Sequence, residues 1–452
     1  MVNILLITAD DMDGRTPGRF GGPDQVTPNL DALAADGITF GRSHVAAAVC
    51  QPSRSAIMTG LWPHKNGAEG FEPIREGVGV FTDVLRENGY LKAILGKVEH
   101  IQPVERFEWD YVRGMGELGM GRNPDLYFAA AMEVIAQGHR TNSPWFLMAN
   151  AHDPHRPFHG SETEREKWSE DQRRLFPAPT KVFRPGDEDV PGFLPDIPAV
   201  RDEYAEYLSS SRRCDDVVGA LLAALEESGA SEDTLVVFLS DNGMAFPFAK
   251  ANCYLRSTLT PMIMRWPGVI DPGRSEDEAF VSALDLFPTF CDAIGAATPR
   301  GLDGRSLLPI LKDPGHRAVG REKVFTVFHE TSAKARYEMR CVQDGEFGYI
   351  WNAWAGEGTT YEAENMEGLS WTAMLAAAAD SPAVRSRTEF YLRRAREELY
   401  DLRNDPNCLV NLSGDKSMTG RLQTSRRTLA AWMRDNDDPL SAHYSRRIGT
   451  AP

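Results

Sequence analysis

Between Ile4 and Trp266 short apolar runs end repeatedly in polar clusters. Residues 4–8 run into Ala9-Asp10-Asp11, and 91–95 into Gly96-Lys97. Residues 145–150 lead to His152 and His155, and 234–239 to Ser240-Asp241-Asn242-Gly243. Runs this short predict strands buried on both faces of a parallel sheet. Residues 38–40 and 261–266 read as two more strands. Helices are predicted between them. Thr27, Pro28 and Gly37 read as the cap, first residue and stop of one helix. Residues 81–87 are predicted helical up to Asn88-Gly89, and 204–227 as a long amphipathic helix that stops at Gly229. Strands alternating with helices predict an α/β fold with a large, mainly parallel sheet flanked by helices.

The texture changes after Asp313-Pro314-Gly315. Residues 324–328, 339–342 and 346–351 look like short strands in a meander. A helix is expected at 390–399, a turn at Asn404-Asp405-Pro406 and a helix at 417–435. The expected division is a catalytic domain over 1–319 and a smaller α+β domain over 320–452.

Composition narrows the chemistry. The net charge of −16 argues against a nucleic-acid partner, which needs a basic face. It also requires that any anionic substrate be held by a local cluster of cations or a metal. Six cysteines without a C-x-x-C pair suit neither a disulfide scaffold nor a zinc site, and they predict a reducing compartment. The opening residues carry no basic segment followed by an adequate apolar one, and no run has the length of a membrane span. A cytoplasmic protein with no membrane partner is therefore expected.

In open α/β sheets ligands gather beyond the carboxyl ends of the strands. The polar clusters above all sit at such ends, so they are expected to meet in one cleft. Asp10, Asp11, Asp241 and Asn242 then supply three carboxylates and an amide oxygen. Oxygen-only donors suit a hard cation, calcium or magnesium. Taken singly, Asp10-Asp11 also reads as a helix cap or solvated turn, and Asp-Asn-Gly as a plain turn. His152-Asp153-Pro154-His155-Arg156-Pro157 is a poor candidate for core filler, and His155 is a candidate acid for a leaving group.

One run remains: Cys50-Gln51-Pro52-Ser53-Arg54, followed by Ile57-Met58 and Thr59-Gly60. Alone it reads as a buried cysteine beside a turn or as a reactive one. The C-x-P-S-R core with its Thr-Gly tail resembles the modification signal of the type I sulfatases. The resemblance extends along the chain through Asp10-Asp11, the Thr27-Pro28-Asn29-Leu30 helix, Gly96-Lys97 and His152 to Pro157. It continues through Ser240 to Gly243, Arg265-Trp266-Pro267-Gly268 and Leu399-Tyr400-Asp401-Leu402. It implies the alkaline-phosphatase-superfamily fold and a Cys50 oxidised to formylglycine by a formylglycine-generating enzyme. The hydrated aldehyde would attack sulfur and regenerate itself by expelling sulfate. The resemblance further implies a calcium held by Asp10, Asp11, Asp241, Asn242 and residue 50, with magnesium as the alternative. It implies that Arg54 holds the diol, Lys97 and Lys250 clamp the sulfate, and His100 and His155 move protons.

Within the family the chain is most similar to the sulfamidases (N-sulfoglucosamine sulfohydrolases). Thr59-Gly60-Leu61 with His64 and Asn66-Gly67, and Phe246-Pro247-Phe248 with the early Lys250, carry that likeness. Lys97-x-x-His100 is one residue longer than the sulfamidase spacing and is more like that of the iduronate sulfatases. Gln51 stands where the family usually has a small residue.

The expected substrate is a sulfated saccharide, as O-sulfate or N-sulfate. A phosphodiesterase or phosphonate monoester hydrolase with the same nucleophile is the alternative, since both reactions put negative charge on oxygens that cations stabilise. A non-enzymatic binder of sulfated glycans is a third reading, disfavoured by the intact ligand set. A homodimer is compatible with the sequence.

Overall fold

The computed structural model of the chain describes residues 2–356 and 358–449. Ten strands belong to its first part. In chain order they are β1 (Asn3–Ala9), β2 (Ile38–Phe40), β3 (Ser43–His44), β4 (Leu91–Leu95) and β5 (Tyr111–Arg113). There follow β6 (Trp145–Asn150), β7 (Thr234–Ser240), β8 (Met262–Arg265), β9 (Arg274–Glu276) and β10 (Val281–Ser282). Eight of them form one sheet in the order β5-β4-β6-β1-β7-β8-β2-β9. The run from β5 to β7 is parallel throughout. The segment expected as a strand at 261–266 is β8, which enters antiparallel to both β7 and β2.

β1 shows why an uninterrupted apolar run makes this sheet. Ile4 and Leu6 pack into one core cluster, and Leu5 and Ile7 into another on the opposite face. Fully burying each such side chain contributes about 1.5–3 kcal/mol. One face is covered by helices Pro124–Thr141 and Pro198–Glu227, the other by Cys50–Thr59, Phe81–Glu87 and Leu286–Ile294.

The helix read from Thr27-Pro28 spans Pro28–Ala35, but Thr27 does not cap it by its side chain. Its hydroxyl accepts from the Gly18 N–H instead. The cap comes from Asp215 of the long helix, whose carboxylate accepts from the Asn29 and Leu30 N–H groups at 3.0 and 2.9 Å. A remote carboxylate thus does what a local residue usually does.

The second part is a four-stranded antiparallel sheet of β11 (Lys323–Glu330), β12 (Arg336–Asp344), β13 (Phe347–Asn352) and β14 (Glu397–Asp401). β14 corrects the helix expected at 390–399. The preceding helix, Pro382–Leu392, stops at Arg393, and residues 397–401 pair with β13. Arg394 is fully buried between, donating to Asn252 and lying 3.6 Å from the Glu398 carboxylate. Two apolar clusters mix side chains of both parts: Phe158 and Phe246 with Met339 and Tyr391, and Ala46 and Trp62 with Val327 and Trp432. All six cysteines are buried and unpaired. No helix among the described residues is long and apolar enough to cross a membrane.

Candidate active site

The strand register brings the polar clusters together. Ala9 of β1 lies opposite Ser240 of β7, so Asp10-Asp11 and Asp241-Asn242 leave the sheet side by side. Thr8 pairs with Asn150 of β6, and Leu95 of β4 with Ala149, which brings His152 and Lys97 to the same edge. Four neighbouring strand ends thus supply the cleft floor.

Cys50 enters from above as the first residue of helix Cys50–Thr59, all of it buried. Pro52 in the first turn costs no hydrogen bond, and Gly60 closes the helix with a left-handed φ of 66°. The Cys50 thiol lies 3.4 Å from Asp10 Oδ1 and 3.3 Å from Lys250 Nζ. Burial, then the Asp10 charge, pushes this thiol well above the ordinary range. As a plain cysteine it is protonated at neutral pH and a poor nucleophile.

Arg54, one turn on, is fully buried. Its Nε donates to Asp241 Oδ2 at 2.9 Å, and its Nη1 to Thr8 Oγ1 and Asn150 Oδ1 at 2.8 and 2.6 Å. Lys97 pairs with Asp10, and Lys250 with Asp11 at 2.7 Å. Lys97 is left-handed (φ 51°), as are Asp11 (φ 70°) and the residues bracketing Lys250, Phe248 (φ 65°) and Ala251 (φ 62°). Such backbone costs of order 1–3 kcal/mol per residue and persists where the surroundings dictate it. The second part of the chain does so at Lys250. Asn365 donates to the Lys250 carbonyl, and the Tyr361 hydroxyl to that of Ala251 at 2.6 Å.

His155 Nε2 lies 4.0 Å from Asp11 Oδ2, and the ring shares a cluster with Asp10 and Cys50. Its Nδ1 is 2.5 Å from the Arg156 carbonyl. A carbonyl only accepts, so Nδ1 carries the proton and Nε2 presents its lone pair to the site when the ring is neutral. Burial, then Lys97, holds His155 well below the ordinary histidine range. His152 stacks on it at 4.8 Å, with Nδ1 3.9 Å from Asp10 Oδ2. His100 borders this group, close enough for the charges of Lys97, Asp10, Arg54 and Lys250 to act on it. Its ring packs edge-on against Phe71, its Nδ1 has no hydrogen-bond partner, and burial, then Lys97, lowers its pKa to about 3.

Three buried carboxylates thus face three buried cations. Burial raises the Asp11 pKa to about 7 with help from Asp10 and Asp241, against Lys250. Burial would raise Asp10 too, but Lys97, His155 and Arg54 together hold it well below its usual value. Asp10, Asp11 and Asp241 each offer an oxygen within 4.8 Å of the others. Asp11 Oδ2 and Asn242 Oδ1 are buried without any hydrogen-bond partner. Clustered carboxylates and orphaned oxygens fit a hard divalent cation.

Several supporting residues carry little or no sequence signal. Thr8 and Asn150 orient Arg54. Arg122 and Arg213, both buried, grip Asp153 at 2.9 and 2.6 Å, and Arg122 also donates to the His155 carbonyl at 3.1 Å. Asn150 was visible as the polar end of an apolar run; the two arginines stand far from any motif.

The Sulfatase family profile matches residues 2–296, and the profile "N-sulphoglucosamine sulphohydrolase, C-terminal" matches residues 245–354. Human N-sulphoglucosamine sulphohydrolase is 31% identical over 97% of this chain and 91% of its own. Among solved structures, one in complex with its substrate D-glucosamine-2-N,6-O-disulfate superposes with a TM-score of 0.73 at 19% identity, covering 97% of this chain and 98% of that one. The phosphonate monoester hydrolase of Agrobacterium radiobacter gives 0.71 at 19% identity, with 96% of each chain covered. At such identities these two likenesses concern the fold.

Proposed function

The chain belongs to the sulfatase family, and from that premise we propose that it hydrolyses a sulfamate or sulfate ester of a carbohydrate at residue 50, an N-sulfated amino sugar foremost. One observation carries the reading: Arg54, Lys97 and Lys250, all buried, converge with Asp10, Asp11 and Asp241 on Cys50. A relative of nearly equal extent, human N-sulphoglucosamine sulphohydrolase, favours sulfur over phosphorus. The phosphonate hydrolase likeness rests on fold alone.

When present, formylglycine at residue 50 supplies a hydroxyl nucleophile and the metal supplies positive charge for the sulfate oxygens. Asp10, Asp11, Asp241 and Asn242 are the residues that would hold that metal. The rest falls to the chain's own groups. Formal charges of the three carboxylates and three cations cancel. A divalent cation and a singly charged substrate leave one surplus positive charge, which suits the extra negative charge that develops as sulfate leaves. Lys97 and Lys250 reach the substrate by turning from Asp10 and Asp11. Arg54 cannot turn, because Asp241, Thr8 and Asn150 fix it, so it orients residue 50. His155 is neutral before substrate arrives. The anionic substrate favours proton uptake at Nε2, and the protonated ring then delivers to the leaving oxygen or nitrogen.

Sulfate release from a panel of N- and O-sulfated saccharides, set against alcohol release from phosphonate monoesters, tests the reading, using protein co-expressed with a formylglycine-generating enzyme. Turnover of the phosphonate monoesters with no sulfate release would overturn it. His155→Ala is expected to slow saccharide substrates at least tenfold more than an activated aryl sulfate, because a phenolate leaves without a proton and an alkoxide or amide anion does not. Equal losses on both would remove His155 as the acid.

The metal is testable apart from turnover. Asp241→Asn keeps an acceptor for Arg54 while removing a charged ligand, so the fold should survive and bound calcium should fall in elemental analysis. In a metal-loaded structure, oxygen distances of about 2.3–2.6 Å mark calcium and about 2.0–2.1 Å magnesium. Full calcium occupancy in Asp241→Asn would contradict the ligand assignment.

A further inference from the structure

His64 takes no part in the centre described above. It belongs to the short helix Pro63–Asn66, which follows the helix begun by Cys50. With His329, at the end of β11, it lines a cavity of about 450 Å³ where the two parts of the chain meet. The volume lies in the range of small-molecule sites. Glu69, Arg75, Arg336, Glu338, Arg340 and Asp437 complete the polar lining.

Both imidazoles present an unsatisfied nitrogen. His64 Nε2 lies 3.0 Å from the Asn436 carbonyl, which only accepts, so Nε2 carries the proton and the unpartnered Nδ1 is an acceptor. His329 turns Nδ1 towards Glu69 Oε1 at 3.6 Å, which draws the proton to that side. Its Nε2 is buried without a partner, in a residue only 1% exposed. Burial lowers the pKa of His64 and, more strongly, that of His329, so both rings are neutral at pH 7. The cavity lining therefore holds two buried, unpartnered lone pairs, together with carboxylates and guanidiniums that pair in part with one another, Arg336 with Glu69 at 2.6 Å and with Glu338 at 2.8 Å. Arg75 has no carboxylate within 4.0 Å among the described residues; it donates to the carbonyls of Lys65 and His64. Mixed donors and acceptors at close spacing match a ring of hydroxyl groups, each of which donates and accepts.

The cavity adjoins the catalytic centre. Glu69 and Arg75 lie on its wall, while Phe71 between them packs on His100 and the Glu72 carbonyl accepts from the Gln51 side chain at 2.7 Å. One loop thus borders both spaces. A bridge between Ala47 and Val327 also brings the end of β11 alongside the segment entering Cys50. We propose that this cavity is a sugar subsite, which seats the saccharide unit next to the one that carries the scissile sulfate. His64, His329 and Glu69 would accept from its hydroxyls, and Arg75 would donate to its ring or glycosidic oxygens. The proposal rests on the carbohydrate-sulfatase reading.

The test uses full-length Cys50→Ala protein, which binds without turning over. Titration calorimetry compares N-sulfoglucosamine with a tetrasaccharide that ends in it. The tetrasaccharide is expected to bind at least tenfold more tightly. That gain should vanish in Arg75→Ala, a change at the exposed rim, and in His329→Phe, which removes both ring nitrogens, with monosaccharide affinity unchanged. Equal affinity for the two sugars, or a gain that both substitutions leave intact, overturns the subsite alone. Binding of neither sugar, alongside hydrolysis of phosphonate monoesters to phosphonate and alcohol by the unsubstituted enzyme, overturns the carbohydrate reading and the subsite together.

Discussion

Cys50→Ala is expected to remove sulfate release by about 10⁴-fold or more, the scale of deleting a covalent nucleophile, while leaving a folded protein. The thiol makes two polar contacts, with Asp10 and Lys250, and both partners keep others: Asp10 has Lys97 and Arg54, and Lys250 has Asp11. The side chain lost is small, so the stability cost stays near the common range of about 0.5–3 kcal/mol. Cys50→Ser should be as inactive in turnover, because a sulfated serine has no second hydroxyl whose collapse expels sulfate. The native cysteine left unconverted should also be inactive, since its thiol is held protonated by burial and by Asp10. Sulfate release, thermal melting and intact mass, which shows whether the thiol has become an aldehyde, together check these outcomes. Wild-type rates in Cys50→Ala would end the nucleophile assignment.

The cleft was legible in the sequence because a parallel sheet converts strand ends into neighbours. Asp10 and Asp241 are far apart in the chain, yet each follows an apolar run, and the register of β1 with β7 places them together. Asn150 closes such a run too. The arginines that steady Asp153 gave no comparable signal. Arg122 lies before one helix and Arg213 within another, and only tertiary packing makes them partners of one carboxylate. The same limit explains the wrong helix at 390–399. Its charged, arginine-rich composition suits a helix, but pairing with β13 and the buried Arg394 impose a strand. Local propensity is a weak prior against such contacts. Helix Cys50–Thr59 shows a further gap: the motif marked Cys50 as a candidate nucleophile, while the structure shows that the same residues form a wholly buried helix. His100, singled out by its place after Lys97, packs on Phe71 with its Nδ1 unpartnered and within reach of the site charges.

The cation clamp should produce the other large effect. The chain carries a formal charge of −16, so long-range attraction cannot gather an anion, and local positive charge must do so. Lys97 and Lys250 are at most 3% exposed, and each is ion-paired with a carboxylate proposed as a metal ligand. A divalent cation held by Asp10 and Asp11 would offset their charge, and both ammonium groups would then be available to the sulfate oxygens. Lys97→Ala and Lys250→Ala are each expected to lower kcat/KM by about 10²-fold or more, the usual loss when one buried donor to a developing oxyanion is removed. Loss of Lys250 should weigh more on kcat. Its ammonium lies 3.3 Å from the residue 50 sulfur, where the bond to sulfur forms, whereas Lys97 faces Asp10 beside it. Steady-state kinetics at saturating calcium, with metal content measured on the same samples, separates a lost clamp from a lost metal. A change below threefold in both variants, at unchanged metal content, would show that neither lysine clamps the anion.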